Sequence, residues 1–205
     1  MIGSTRKRKR KVDPEWAEEG GPGRTPIQSK SHIPKVMFMC AISRPNRAHK
    51  FDGRLGMWRC SVPGITKRKS KNRAACVPID VDVNVDAAFF EKMMREDVIP
   101  ACITKMSWAE KITIQMDNAR PHAGKGNLDR LNEYGATLTP KVEFVLQPAN
   151  SPDTNINDLC FFNSLASAVS KRVTRTKDDL AKVVGEMYDK WHTAERLDKY
   201  FWKRK

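Results

Sequence analysis

The chain has 205 residues, of which 38 are Lys or Arg and 24 are Asp or Glu, so its formal net charge at pH 7 is +14. That length is enough for one domain with a buried core, and the excess of positive charge favours a polyanionic partner, most often nucleic acid. No run approaches the roughly 20 apolar residues of a membrane span. An anionic membrane surface is the weaker alternative partner, and an ordinary charged coat is the simplest explanation of the charge.

The first 30 residues differ in composition from the rest of the chain. They begin with an unbroken basic run, which is followed by an acidic patch and a Gly/Pro-rich stretch. Such a segment buries little apolar surface, so we predict a disordered tail over 1–30. The basic run has the form of a nuclear localisation signal, predicts a nuclear protein, and also suits phosphate binding. Its residues are Arg6, Lys7, Arg8, Lys9, Arg10 and Lys11.

The first predicted strand is the continuous apolar run 35–42, which is typical of a strand buried on both faces. Residues 56–62 alternate between apolar and polar and are predicted to pair with it across the loop 43–55. A second basic cluster follows and is most simply an exposed loop that contacts nucleic acid. Its members are Lys67, Arg68, Lys69, Lys71 and Arg73.

The rest of the chain alternates between helical and strand patterns. Apolar residues recur at helical spacing over 86–103, with an interruption near Pro100. Strands are predicted at 112–116 and 142–146, and helices at 124–134 and 158–173. Thr176 and Asp179 indicate a capping box that opens a C-terminal amphipathic helix over 176–205, whose apolar stripe is either core or the surface of a homodimer. This order predicts an α/β domain over 31–175.

Two acidic motifs stand just beyond apolar, strand-like runs, at 115–122 and 151–158. Asp117 follows the strand 112–116, and Asp158 stands where a helix is predicted to begin. Hard divalent cations take oxygen ligands, and carboxylates at strand ends suit a two-metal phosphoryl-transfer site. Taken alone, an Asp at a strand end is more often a structural cap. We expect Asp153 or Asn157 to cap the helix that is predicted over 158–173.

The string Asp-Asn-Ala-Arg-Pro-His at 117–122 and the motif 151–158 resemble the second and third catalytic motifs of the Tc1/mariner transposases. These are DDE/D enzymes on the RNase H-like fold. The resemblance implies a mixed sheet flanked by helices, with Asp117 and Asp158 as catalytic ligands of Mg²⁺ or Mn²⁺. It also implies DNA strand cleavage and transfer. Asn118 would fix the turn, and His122 would contact a phosphate or orient a ligand.

The first catalytic Asp of that family has no match in this chain, and neither does its N-terminal helix-turn-helix region. We therefore expect a truncated transposase, incomplete at the N-terminal strand and impaired in catalysis because one metal ligand is missing. A non-catalytic nuclear DNA-binding protein derived from a transposase is the alternative. A product that does not fold stably is a third option.

Overall fold

A computed structural model of the chain describes residues 35–69, 74–124, 126–151, 154–174 and 176–202. Strands and helices follow one another along this part of the chain, which confirms the α/β class. The predicted tail over 1–30 lies outside the described residues. The described strands form three two-stranded sheets, whereas we expected them in one mixed sheet.

The first sheet consists of β1 (Phe38–Ile42) and β2 (Arg54–Arg59), which pair as predicted and run antiparallel. Alternate side chains of β1 pack on two different apolar clusters. Met39 and Ala41 contact one cluster, and the other three side chains of β1 contact the cluster formed by the C-terminal helices. Both faces of β1 are therefore covered, but every residue of the strand is only half-buried.

The second sheet was not predicted from the sequence. It is the antiparallel pair of β3 (Ser61–Ile65) and β4 (Pro78–Asp82). Pro63 and Gly64 in β3 are poor strand formers, which explains why the pattern was missed. Thr66 joins the two strands at the loop end: its hydroxyl donates to the carbonyl of Ala74 at 2.8 Å and accepts from Val77 N at 2.9 Å.

The helix predicted over 86–103 is confirmed and consists of three pieces. These are α1 (Ala87–Met93), a π-helical turn (Met94–Val98) and α2 (Ile99–Lys105). Asp86 caps the first of them by accepting a hydrogen bond from Phe89 N at 2.8 Å. Pro100 lacks an N–H and its ring crowds the carbonyl of the preceding turn. The wide turn immediately before it lets the helix continue.

The third sheet pairs β5 (Lys111–Met116) with β6 (Lys141–Leu146) in parallel, so both predicted strands are confirmed. The connection between them contains the short helix α3 (Arg120–Ala123) and the helix α4 (Asn127–Ala136). The sequence placed one helix at 124–134. The helix α4 starts later than this prediction because Gly126, at φ 67°, has a left-handed conformation just before its first turn.

The C-terminal region contains a π-helical turn (Asn157–Phe161) followed by α5 (Phe162–Val169), α6 (Lys177–Trp191) and α7 (Ala194–Trp202). The capping box of Thr176 and Asp179 is confirmed. The predicted single helix over 176–205 is wrong, because His192 leaves the helical region at φ −95° and ψ 72°. A new helix then starts at Ala194.

Apolar side chains form two clusters. The first lies between the parallel sheet and helices α1, α2 and α4, with Phe90, Leu131 and Phe144 at its centre. The second joins α5, α6 and α7 around Phe161 and Leu197. The apolar stripe of α6 belongs to this second cluster and is core. None of the helices in the described part of the chain has the length and apolar character that crossing a bilayer requires.

Candidate functional site

Asp117 follows the last residue of β5, and its position is set by the parallel pairing with β6. Met116 lies opposite Leu146, and the backbone N–H of Gln147 donates to the carbonyl of Met116 at 2.7 Å. The two strands therefore end together. Residues after the carboxyl ends of parallel strands lie at one edge of a sheet, where open α/β sheets bind ligands.

The side chain of Asp117 has one engaged oxygen and one available oxygen. Its Oδ1 accepts a hydrogen bond from Ala119 N at 3.0 Å and contacts Nδ1 of His122, which lies in α3. The ring of Phe90 packs on His122 with 4.0 Å between ring centroids and holds the imidazole in place. Oδ2 of Asp117 has no hydrogen bond to any described residue, and 43% of the side chain is exposed.

Asn118 fixes the turn after Asp117, as the sequence suggested. Its side-chain amide donates to the carbonyl of Gln147 at 2.9 Å, which ties the turn to the end of β6. Gln147 in turn donates through Nε2 to the carbonyl of Ser151 at 2.8 Å. One glutamine therefore connects the Asp117 turn with the loop that leads to the second acidic motif.

Asp158 lies in the first turn of the π-helical segment and is exposed. Its Oδ2 accepts from the side chain of Asn155 at 2.8 Å, and no described residue donates to its Oδ1. The expectation that Asn157 caps this helix is wrong. Its amide instead reaches Cys40 of β1 at 3.3 Å, and the first turn has no side-chain cap. Asp153 lies outside the described residues.

Gln115 and Thr154 make the most direct connection between the two motifs. Nε2 of Gln115 donates to the carbonyl of Thr154 at 3.1 Å. Sequence reasoning gave no role to Gln115 or Gln147. One signal was available, since Gln115 is the long polar side chain in a run that otherwise reads Ile112, Thr113, Ile114 and Met116. A polar residue there has no obvious place in the core.

The structure does not bring Asp117 and Asp158 into direct contact. Over the residues that it describes, no group of three or more His, Cys, Asp or Glu side chains could hold a metal ion. Each of the two carboxylates nevertheless keeps one oxygen without a hydrogen bond to a described residue. Such oxygens are the ligands that Mg²⁺ and Mn²⁺ prefer, so the donor chemistry fits a divalent cation.

The structure describes only some of the residues that were predicted to contact nucleic acid. Lys67, Arg68 and Lys69 are exposed in the loop between β3 and β4. Lys71 and Arg73 of the same loop lie outside the described residues, and so does the basic run at 6–11. These three residues lie at the end of a hairpin that Thr66 closes. In the sequence they are distant from both acidic motifs.

Comparison with known proteins adds no family to this description. No family model matches this chain, and no curated protein matches it. Asp117 follows the end of β5, and Asp158 lies in the first turn of a π-helical segment. Each carboxylate has an available oxygen and is open to solvent, and His122 orients that of Asp117.

Proposed function

We propose that this chain is a transposase-derived DDE-type domain of the Tc1/mariner kind, with an RNase H-like arrangement, that acts on DNA in the nucleus. The observation that carries the proposal is the hydrogen bond from Gln115 to Thr154 at 3.1 Å, because it joins the segment before Asp117 to the segment before Asp158. An antiparallel strand pair followed by a parallel pair supports the same fold.

In this proposal Asp117 and Asp158 hold Mg²⁺ or Mn²⁺ through their available oxygens. The chemistry that such a cation would supply is charge stabilisation at a phosphodiester and a more acidic attacking water or hydroxyl. His122 keeps the carboxylate of Asp117 turned so that Oδ1 faces the imidazole and Oδ2 faces solvent. The sequence contains no counterpart of the family's first motif, so we propose that strand cleavage and transfer by this chain are weak.

The proposal is tested by thermal unfolding with and without Mn²⁺. A ligand that binds only the native state raises its stability. We expect Mn²⁺ to raise the Tm of the unaltered chain and of the control Asp129→Asn, which changes an exposed carboxylate of α4. Asp117→Asn and Asp158→Asn should each lose the shift. A Mn²⁺ shift that survives in both variants contradicts the proposed site.

The alternative is a non-catalytic nuclear DNA-binding protein of the same origin. The net charge of +14 and the exposed cluster at Lys67, Arg68 and Lys69 favour this function. Binding through phosphates releases counterions, so affinity should fall steeply as salt is raised and depend little on DNA sequence. DNA affinity that barely changes between low and high salt would argue against it.

A further inference from the structure

The loop between β1 and β2 has a defined shape and presents basic side chains. Asn46 and Phe51 exchange two backbone hydrogen bonds of 2.9 Å, and Lys50 N donates to the carbonyl of Arg47 at 3.2 Å. Lys50 itself has a left-handed conformation, at φ 52°. The turn therefore holds Arg47, His49 and Lys50 at its tip, where all three are exposed.

His49 lies flat on the indole of Trp108, which follows α2. The ring centroids are 4.3 Å apart and the planes differ by 6°. Phe51 packs against the same indole at 6.5 Å in a tilted arrangement. Because His49 is exposed while one of its faces covers Trp108, its other face is open to solvent. We call these two rings the His49–Trp108 stack.

Positive charge surrounds this stack. An open cavity of about 340 Å³ lies beside it, lined by His49, Lys50, Phe51, Asp52 and Lys105. Arg47 and Lys50 form no ion pair with any described residue. The one carboxylate of the cavity, Asp52, is already bound by Arg54, whose Nε donates to it at 2.8 Å. Lys50 in the lining and Arg47 on the same turn therefore present positive charge outside any ion pair of the described residues.

We infer that the His49–Trp108 stack binds single-stranded nucleic acid. A base lies on the open face of His49 and extends the stack, and the neighbouring phosphates contact Arg47 and Lys50. Aromatic rings beside a basic groove are the features that sequence-tolerant binding of single strands requires. An acidic peptide would use the cations but leave the flat ring face uncovered, so it fits this surface less well.

This inference shares with the proposed function only the assumption of a nucleic-acid partner. It needs neither a metal ion nor Asp117. The residues that carry it lie between β1 and β2 and after α2, and none of them belongs to the two basic clusters that the sequence singled out. The stack therefore adds a base-contacting surface to a chain whose other basic residues offer only charge.

The experiment compares two dye-labelled strands by fluorescence anisotropy: a short oligothymidine, and the same sugar–phosphate strand without bases. The unaltered chain should bind the strand with bases about five-fold more tightly or better, since stacking of one base contributes at least this much. His49→Leu should remove the difference, because leucine still covers the indole but offers no aromatic face, and His49→Tyr should retain it. Lys50→Gln should weaken both strands alike, whereas Lys92→Gln, a charge-matched control on α1, leaves the preference for bases unchanged.

Each outcome separates the stack from the rest of the protein. Equal binding of both strands by the unaltered chain, or a base preference that survives in His49→Leu, overturns the inference but leaves a DNA partner in place. Failure to bind either strand or a duplex overturns the inference and the DNA partner together, while the Mn²⁺ shift of the acidic site is measured independently. Thermal unfolding of His49→Leu verifies that this exposed substitution has left the fold intact.

Discussion

Gln115 and Thr154 are 39 residues apart in the sequence, yet the side-chain amide of Gln115 donates to the backbone carbonyl of Thr154 at 3.1 Å. The same nitrogen also lies 3.4 Å from the hydroxyl of Thr154. This contact joins strand β5, which ends at Asp117, to the loop that precedes Asp158. The distance between the two acids therefore depends on a neutral side chain that neither motif requires for its own turn.

Gln115→Ala tests this dependence. Loss of the hydrogen bond should lower the free energy of unfolding by about 1 kcal/mol. It should also reduce the increase in Tm that Mn²⁺ produces, because Asp158 is then held less firmly relative to Asp117. Thr113→Ala is the matched control, since Thr113 is an exposed residue of the same strand. A Mn²⁺ shift as large in Gln115→Ala as in the unaltered chain would show that the contact does not position the acids.

Two helical glycines provide a matched pair of opposite expected sign. A Cβ added to Gly135 of α4 would lie 2.0 Å from the carbonyl oxygen of Val142 in β6, whereas one added to Gly185 of α6 has nothing within 4 Å. Gly135→Ala should therefore destabilise the protein by about 1–3 kcal/mol or more, because the helix must move off the sheet. Gly185→Ala should stabilise it by about 0.5–1 kcal/mol.

Urea denaturation of the two glycine variants measures both effects under the same conditions. The midpoint should fall for Gly135→Ala and rise for Gly185→Ala, with similar slopes. If Gly135→Ala were as stable as the unaltered chain, the close approach of α4 to β6 described above would be wrong.

His192 should make stability depend on pH in the mildly acidic range. It is fully buried among Phe161, Tyr188 and Tyr200. Burial, with the positive charge of Arg196, lowers the pKa of His192 from 6.5 to about 4. The unfolded chain therefore takes up a proton below about pH 6.5 while the folded chain does not. Stability should fall by about 2–3 kcal/mol as the pH drops from 6.5 towards 4.

His192→Phe keeps an aromatic ring in the cluster and removes the titrating group. Unfolding of this variant should depend less on pH between 6.5 and 4 than unfolding of the unaltered chain. His49→Ala serves as the control for a histidine that is exposed. Identical pH dependence of His192→Phe and the unaltered chain would mean that the buried imidazole is not the group responsible.

Arg59 of β2 links β4 to α6 through carboxylates. It donates to Asp82 at 2.9 Å and to Asp178 at 3.0 Å, and Lys177 donates to Asp82 at 2.7 Å. The hydrogen bond from Lys177, together with those from Arg59, lowers the pKa of Asp82 below its usual 3.8. The stabilisation is therefore present above about pH 4 and is lost as the pH falls through the lowered pKa.

Asp82→Asn should lower the free energy of unfolding at pH 7 by about 1–2 kcal/mol, because two cations lose their shared carboxylate. Asp80→Asn is the control: its carboxylate is 3.6 Å from Arg59 and more exposed, so its effect should be smaller. Chemical denaturation at pH 7 and in strong acid measures both. Equal effects of the two substitutions would contradict the special position of Asp82.

The sequence predicts the middle of this fold well because its periodicity reflects burial. Ile112, Val142 and Phe144 alternate into the core, and Phe90, Met94 and Val98 recur on one side of a helix. The β3–β4 pair was missed since Pro63 contradicts a strand locally and only the backbone pairing overrides it. The local sequence of β3 does not indicate this pairing, because the residues of β4 that pair with it lie on a separate segment of the sequence.

The candidate site was predictable in its local part only. Asp117 and His122 are five positions apart, and the turn after β5 and the short helix α3 bring their side chains together. Asn157 was given a capping role from its position before a helix, but its amide turns to β1. The contact of Gln115 with Thr154 and the stack of His49 on Trp108 are long-range, so local sequence patterns do not reveal the partner of either side chain.

The π-helical turn Asn157–Phe161 sets the direction of Asp158 relative to the helix that follows it. Such a turn is one residue longer than the α-helical turn it replaces. Deleting one residue within it would leave Leu165 and Ala168 of α5 in their places in the core. A deletion after Asp158 would turn this residue by about 100° around the helix axis relative to α5. The direction of the acid relative to the helical core therefore depends on the one extra residue of this turn.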